Sequence, residues 1–179
     1  MKPLYYEKAF DFDVDELWKI IPWVRFGPRN ECWMNDFGLD YTYGTENSGR
    51  TYTANPMISQ VKDIMINIVD NYKTTDLDVC FINGYQNARD GLGWHADDSP
   101  EISSEHDIAV VSFGAEREIW WRKFGEKGVV PPENRQLLGH GSLFVMPAGF
   151  QEWGQHRIPK HSEECGPRIS LTYRKIKNV

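Results

Sequence analysis

The sequence predicts an α+β protein in which early helices pack on a sandwich or jelly roll built from later strands. Three observations support this. Apolar residues recur at helical spacing up to Tyr72, the period changes to two from residue 77, and glycine, proline and charged residues separate the later runs.

Asp13 is placed to cap a short helix running through Ile21, with Val14, Leu17 and Ile21 on one face and Pro22 ending it. A second helix is expected after Asn55 as cap and Pro56 in the first turn, because Ile58, Val61, Met65, Ile68 and Tyr72 recur at its period. Between them, Val24 to Thr53 fits neither period. It carries Phe26, Trp33, Phe37, Tyr41, Tyr43 and Tyr52, an aromatic density unusual for a plain loop. From residue 77 the runs LDVCFINGY, DIAVVSFG, REIWWRK, GSLFVM and RISLTYRKI read as strands.

With 179 residues, no internal repeat and no linker-like run, the chain is expected to be one domain over residues 1–179. Within it, about 1–76 is expected to be a helical and lid-forming part and about 77–179 the strand core. Hydrophobic residues at 40% and charged residues at 26% exclude a disordered or collagen-like chain. No apolar run suits a membrane helix, and the acidic MKPLYYEKAFDFDVDE resembles neither a signal nor a transit peptide. The expected location is therefore cytoplasmic, or nuclear in a eukaryote, and not secreted. Cys32, Cys80 and Cys165 are odd in number, with no CxxC pair, so reduced thiols are expected. A net charge of −6 argues against a broad nucleic-acid-binding field and leaves only local basic patches for such contact.

Candidate chemistry begins at Trp94-His95-Ala96-Asp97, where residues two apart in extended backbone point the same way. His156 follows the strand Ser142 to Met146, and a return strand could bring it close. Two histidines and a carboxylate leave open positions on an octahedral metal, as in non-haem iron(II) oxygenases. On spacing alone an HxD pair is common by chance. His106, His140 and His161 sit in charged or turn segments and are expected to make hydrogen bonds.

Alternation in Arg168-Ile-Ser-Leu-Thr-Tyr-Arg174 sets Arg168, Ser170, Thr172 and Arg174 on one face, opposite Ile169, Leu171 and Tyr173. That face suits either a solvent-facing edge strand or a dicarboxylate held by two guanidiniums. Asn83 and Tyr85 share a face and could add hydrogen bonds to a carboxylate or keto oxygen. The Asn83-Gly84 dipeptide equally suits a hairpin turn.

These motifs, in this order, resemble the AlkB-like 2-oxoglutarate dioxygenases that oxidatively dealkylate nucleic acids, and most of all the nuclear DNA-repair members. The resemblance runs from about Pro28 to Ile176 through PRNECWMNDFGLDYTYG, INGYQNARDGLGWHADD, IAVVSFGAEREIWWR, HGSLFVMP, the WxxH of Trp153 to His156, and RISLTYRKI. It implies a double-stranded β-helix (jelly roll), with iron(II) held by His95, Asp97 and His156 as the catalytic set. It implies 2-oxoglutarate bound by Asn83, Tyr85, Arg168, Thr172 and Arg174, with dioxygen as the other cosubstrate. Tyr41, Thr42, Tyr43 and Asp98 match substrate-contacting positions. The implied reaction is demethylation of 1-methyladenine or 3-methylcytosine type lesions in DNA or RNA, releasing formaldehyde and succinate, by a monomer without membrane partners. Two positions depart from the pattern: Ser99 stands where close relatives often carry a second acidic residue, and Ser170 where asparagine is common. The alternatives are an oxygenase acting on a protein or small molecule, and a non-catalytic nucleic-acid-binding module of the same fold. A hydrolase is poorly supported, since there is no GxSxG elbow and no P-loop.

Overall fold

The computed structural model describes residues 2–26, 29–43 and 49–177. In chain order its elements are β1 (Leu4–Tyr6), α1 (Val14–Ile20), β2 (Val24–Phe26), β3 (Arg29–Asn35), β4 (Tyr41–Tyr43), β5 (Arg50–Tyr52) and α2 (Ser59–Asn71). They continue as β6 (Val79–Tyr85), β7 (Leu92–His95), β8 (Ile108–Gly114), β9 (Arg117–Lys123), β10 (Arg135–Leu138), β11 (Ser142–Met146), α3 (Phe150–Trp153), β12 (Gly154–Ile158) and β13 (Arg168–Arg174). A seven-stranded major sheet runs β1-β11-β8-β13-β6-β3-β2, a four-stranded minor sheet runs β10-β9-β12-β7, and β4 pairs with β5. The strands pair antiparallel throughout, as a jelly roll requires.

Strict alternation in the major sheet feeds two cores. Cys32, Met34, Cys80, Ile82, Ala109, Val111, Phe113, Leu143, Val145, Ile169, Leu171 and Tyr173 face the helices, where Leu17, Val61, Ile64 and Ile68 cover them. The opposite face presents Tyr85, Ile108, Val110, Phe144 and Met146 to Ile119, Trp121, Leu138 and Ile158 of the minor sheet. Burying such side chains contributes roughly 1.5–3 kcal/mol each and holds the sheets face to face. A third cluster, Trp33, Tyr41, Tyr52, Val79, Phe81, Ile102 and Ile176, underlies the β4–β5 hairpin.

The first helix matches expectation: Asp13 Oδ1 accepts from the Glu16 amide at 3.0 Å and Leu17 is buried. The second begins later than its cap signal suggests, with Ile58 at the N-cap. Asn55 is instead held against β3, exchanging backbone hydrogen bonds with Asn35 and Trp33 at 3.0 and 3.1 Å. That side of β3 lies beyond the end of β2, and pairing there satisfies its backbone.

The segment from Val24 to Thr53 holds the seven-residue β3 and three short strands rather than an irregular loop. β2 and β3 extend the major sheet and β1 closes its other edge, so the first seventy-six residues supply three of its seven strands. Asn83-Gly84 is no turn either. It lies within β6, where a Cβ on Gly84 would stand 2.8 and 2.9 Å from the indole carbons of Trp18 and Trp23. No helix among the described residues is long and apolar enough to cross a membrane.

Candidate active site

In the minor sheet β7 and β12 are antiparallel neighbours, with His95 directly opposite His156. Their ring centroids are 4.2 Å apart. A register irregularity between the His156 and Ile158 pairs lets Leu92 and His95, three residues apart, both face inward. Asp97 follows two residues on. Its Oδ1 lies 3.6 Å from His95 Nε2 and its Oδ2 lies 3.8 Å from His156 Nε2. One donor atom from each of the three lies within 4.8 Å of the others, the only such His/Cys/Asp/Glu group among the described residues.

The protonation states suit a metal. His95 Nδ1 meets the Gly93 carbonyl at 2.8 Å; a carbonyl can only accept, so Nδ1 carries a hydrogen and Nε2 is the ring nitrogen left to face a metal. Burial, reinforced by His95, pulls His156 down to about 3, keeping its imidazole neutral. For Asp97 burial works upward, but Arg174, His156 and His95 outweigh it and hold the carboxyl at about 2. The Asp97 amide donates to Gln151 Oε1 at 2.9 Å, tying this residue to α3.

Of the two readings of the β13 face, the solvent-facing edge is excluded. β13 lies between β8 and β6, and all seven of its residues are buried, so it is not a solvent-facing edge. Arg168 pairs across with Tyr85 and Ser170 with Asn83. The Arg168 guanidinium sits 5.1 Å from the Tyr85 ring centroid and donates through Nη2 to Ser112 Oγ at 2.9 Å. Its Nε and Nη1 are buried without a partner among the described residues, and burial, with Arg117 nearby, pulls its pKa below the ordinary arginine value. A buried cation with free donors and no carboxylate partner can receive an anion. Arg174, at the other end, is bound to Asp97 and keeps Nε free.

One pocket joins these groups. His95, Asp97 and His156 line it with Asn83, Tyr85, Arg168, Ser170, Thr172 and Arg174, and its remaining wall includes Tyr41, Tyr52, Phe81 and Glu31. Tyr41 stacks on Trp33 at 4.7 Å between centroids, and its hydroxyl is hydrogen-bonded to Ser99. Thr42 faces outward on the hairpin, bonded to Thr51. Asp98 is exposed and does not line the pocket, because its neighbour Asp97 takes the inward direction. The side chain of Tyr43 lies outside the described residues. His106 bonds to Ser103, His140 accepts from the Gly114 amide and His161 from the Glu163 amide, so all three serve local hydrogen bonding. Cys32 and Cys80 are buried and Cys165 half-buried, all unpaired.

Sequence reasoning missed Glu31 and Gln151, and gave Phe81 no site role. Glu31 is buried, accepting from Tyr52 Oη at 2.7 Å and Arg50 Nη1 at 3.3 Å. Its alternation with Trp33 in NECWMN was the available signal.

Comparison with known proteins agrees with this geometry. Residues 24–174 match the 2OG-Fe(II) oxygenase superfamily. Alpha-ketoglutarate-dependent dioxygenase alkB homolog 3 of Homo sapiens is 30% identical over 189 residues, covering 94% of this chain and 62% of the relative. DNA oxidative demethylase ALKBH2 of Homo sapiens is 33% identical over 153 residues, covering 83% of this chain and 57% of that protein. The chain thus spans about three fifths of the length of these relatives. The solved structure of OsALKBH1 superposes with a TM-score of 0.63 at 16% identity over 97% of this chain and 96% of that one, a likeness of fold.

Proposed function

The chain belongs to the 2OG-Fe(II) oxygenase superfamily and is AlkB-like, and from that premise we propose that it is an iron(II)- and 2-oxoglutarate-dependent dioxygenase that demethylates N-alkylated nucleobases. Lesions of the 1-methyladenine and 3-methylcytosine type are the substrates in this reading, with formaldehyde and succinate as products. The observation that carries it is a single pocket lined by the His95, Asp97 and His156 donors, the Arg168–Arg174 face and the Tyr41, Tyr52 and Phe81 rings.

Iron(II) would be held by His95, Asp97 and His156, a donor set of two imidazoles and one carboxylate that fits this ion and leaves positions open. When bound, iron(II) with 2-oxoglutarate and dioxygen supplies the oxidising power that hydroxylates a methyl carbon. The chain's own residues orient the reactants. Arg168, with Tyr85 and Asn83, receives the distal carboxylate of 2-oxoglutarate, while Arg174 and Thr172 serve its metal-proximal end. The aromatic wall takes the flat base, and Tyr41, Thr42, Tyr43 and Asp98 contact the substrate strand around it. Glu31 puts a carboxylate beside bases that N-methylation makes cationic. Closing base and cosubstrate together excludes water from the reacting carbon.

We further propose that residues 1–179 act as one domain, as a monomer, in the cytoplasm or nucleus. The test is anaerobic purification followed by addition of iron(II), 2-oxoglutarate, oxygen and oligonucleotides carrying 1-methyladenine or 3-methylcytosine. Formaldehyde release with a matching mass loss is expected. Succinate formation that these oligonucleotides do not stimulate would redirect the reading to another substrate class.

A further inference from the structure

On the minor sheet the inward positions of β9 and β12 are buried and the alternate positions face solvent. The outward residues form a ladder of guanidiniums and indoles across all four strands. The Arg135 guanidinium lies 4.4 Å from the Trp120 ring centroid, Arg157 lies 5.6 Å from both Trp120 and Trp94, and Arg122 lies 4.0 Å from Trp94. None of these arginines is in an ion pair among the described residues. Arg157 Nε is buried with no partner there, Arg135 donates to the Val130 carbonyl, and Arg122 lies against the Gln155 side-chain amide. One carboxylate shares the face: Glu118, which accepts from Trp120 Nε1 at 2.7 Å. A chain of net charge −6 has therefore gathered three unneutralised arginines in one stripe.

We propose that this ladder is a docking track for the phosphates of a single nucleic-acid strand; the inference rests on the nucleic-acid reading of the active site. Cation–π contact with the indoles restrains each guanidinium while leaving part of its donor set free, so less rotamer freedom is lost when a phosphate binds. The stripe crosses three inter-strand steps, roughly 14 Å, which is room for about two to four successive phosphates. Its position fits the same role. Trp94 and Arg157 directly neighbour His95 and His156, so the ladder lies on the back of the strands that carry the metal donors. It ends at β7, the free edge of the minor sheet. Arg29, which lines the pocket, reaches the Gly91 carbonyl at 3.2 Å just before that edge, so a strand leaving the ladder there arrives at the pocket rim. An acidic peptide would satisfy the charges equally, but the regular interleaving with flat aromatic groups favours a strand of repeating phosphates.

The test compares wild type with Arg122→Gln/Arg135→Gln and Arg122→Lys/Arg135→Lys, using fluorescence anisotropy of a labelled, unmethylated oligothymidylate over a range of salt. Three phosphate contacts give a slope of log affinity on log salt of roughly −2, and the Gln variant should lose roughly 1.4 of it. The Lys variant should keep most of the slope but bind more weakly. An unchanged slope in the Gln variant, or competition by poly-glutamate as effective as unlabelled oligothymidylate, overturns the proposal. A second arm measures formaldehyde release from a trinucleotide carrying 1-methyladenine, too short for the ladder, and from a longer strand with the same lesion. The Gln variant should process the trinucleotide as wild type does and show a KM for the long strand raised roughly tenfold. Equal effects on both substrates overturn the track. Failure of wild type to process either substrate refutes the activity, while the salt slopes still decide the ladder.

Discussion

Arg174 Nη2 stands 2.9 Å from Asp97 Oδ1, with both side chains buried. This contact ties the last strand of the major sheet to the segment that follows β7 in the minor sheet, at the carboxylate assigned to iron. Removing one member of a buried pair leaves the other charge uncompensated, at a cost of about 3–5 kcal/mol. Asp97→Ala should therefore destabilise the metal-free protein by about that much in urea unfolding, in addition to abolishing turnover. Arg174→Leu in the same chain should recover part of the stability and none of the activity. Additive losses in this double-mutant cycle would show that the two groups are not coupled.

The folded chain holds His156 at about 3, against an ordinary value of 6.5, with burial as the leading cause. Because its folded value is depressed, the unfolded chain binds more protons between these limits, and stability rises with pH across them. Metal-free protein should thus lose stability as pH falls below 6.5, by at most about 1.4 kcal/mol per unit from this group. His156→Leu should flatten the profile between pH 6.5 and pH 4. An identical slope in the variant would remove His156 as its source.

Arg168 offers two buried, unpartnered nitrogens to the pocket. Charge-assisted hydrogen bonds contribute about 1.5–3 kcal/mol, so Arg168→Ala should raise the KM for 2-oxoglutarate by roughly ten- to a hundredfold. The kcat should change far less. Steady-state kinetics at saturating nucleic acid read the split, and a fall in kcat with unaltered KM would contradict the assignment.

Gln151 reaches the Asp97 amide from α3 and donates to Met146 Sδ at 3.4 Å. Losing a residue that orients a metal ligand typically weakens metal affinity by about 10- to 100-fold. Gln151→Ala should show this loss in titrations with iron(II) or cobalt(II), with 2-oxoglutarate affinity at saturating metal nearly unchanged. Wild-type metal affinity would leave Gln151 with a packing role only.

What the sequence determined by itself was whatever depends on local period or on neighbours within one element. It includes the Asp13 cap, five of the core strands, the shared face of Arg168, Ser170, Thr172 and Arg174, and the common direction of His95 and Asp97. These follow from side-chain directions that repeat every two or 3.6 residues. Between Val24 and Thr53, β2, β4 and β5 escaped because three residues carry too little periodicity, and the seven-residue β3 escaped because it is buried on both faces and so shows no alternation. The same physics hid the late start of α2, decided by Asn55 binding β3. Tertiary structure alone placed β13 at the centre of a sheet rather than at an edge, so that Arg168 and Arg174 are buried instead of solvent-facing. It also set His156 opposite His95 across sixty-one residues of chain and brought Glu31 and Gln151 to the site. No local signal encodes such contacts, since they exist only once long-range strand pairing fixes which backbones are neighbours.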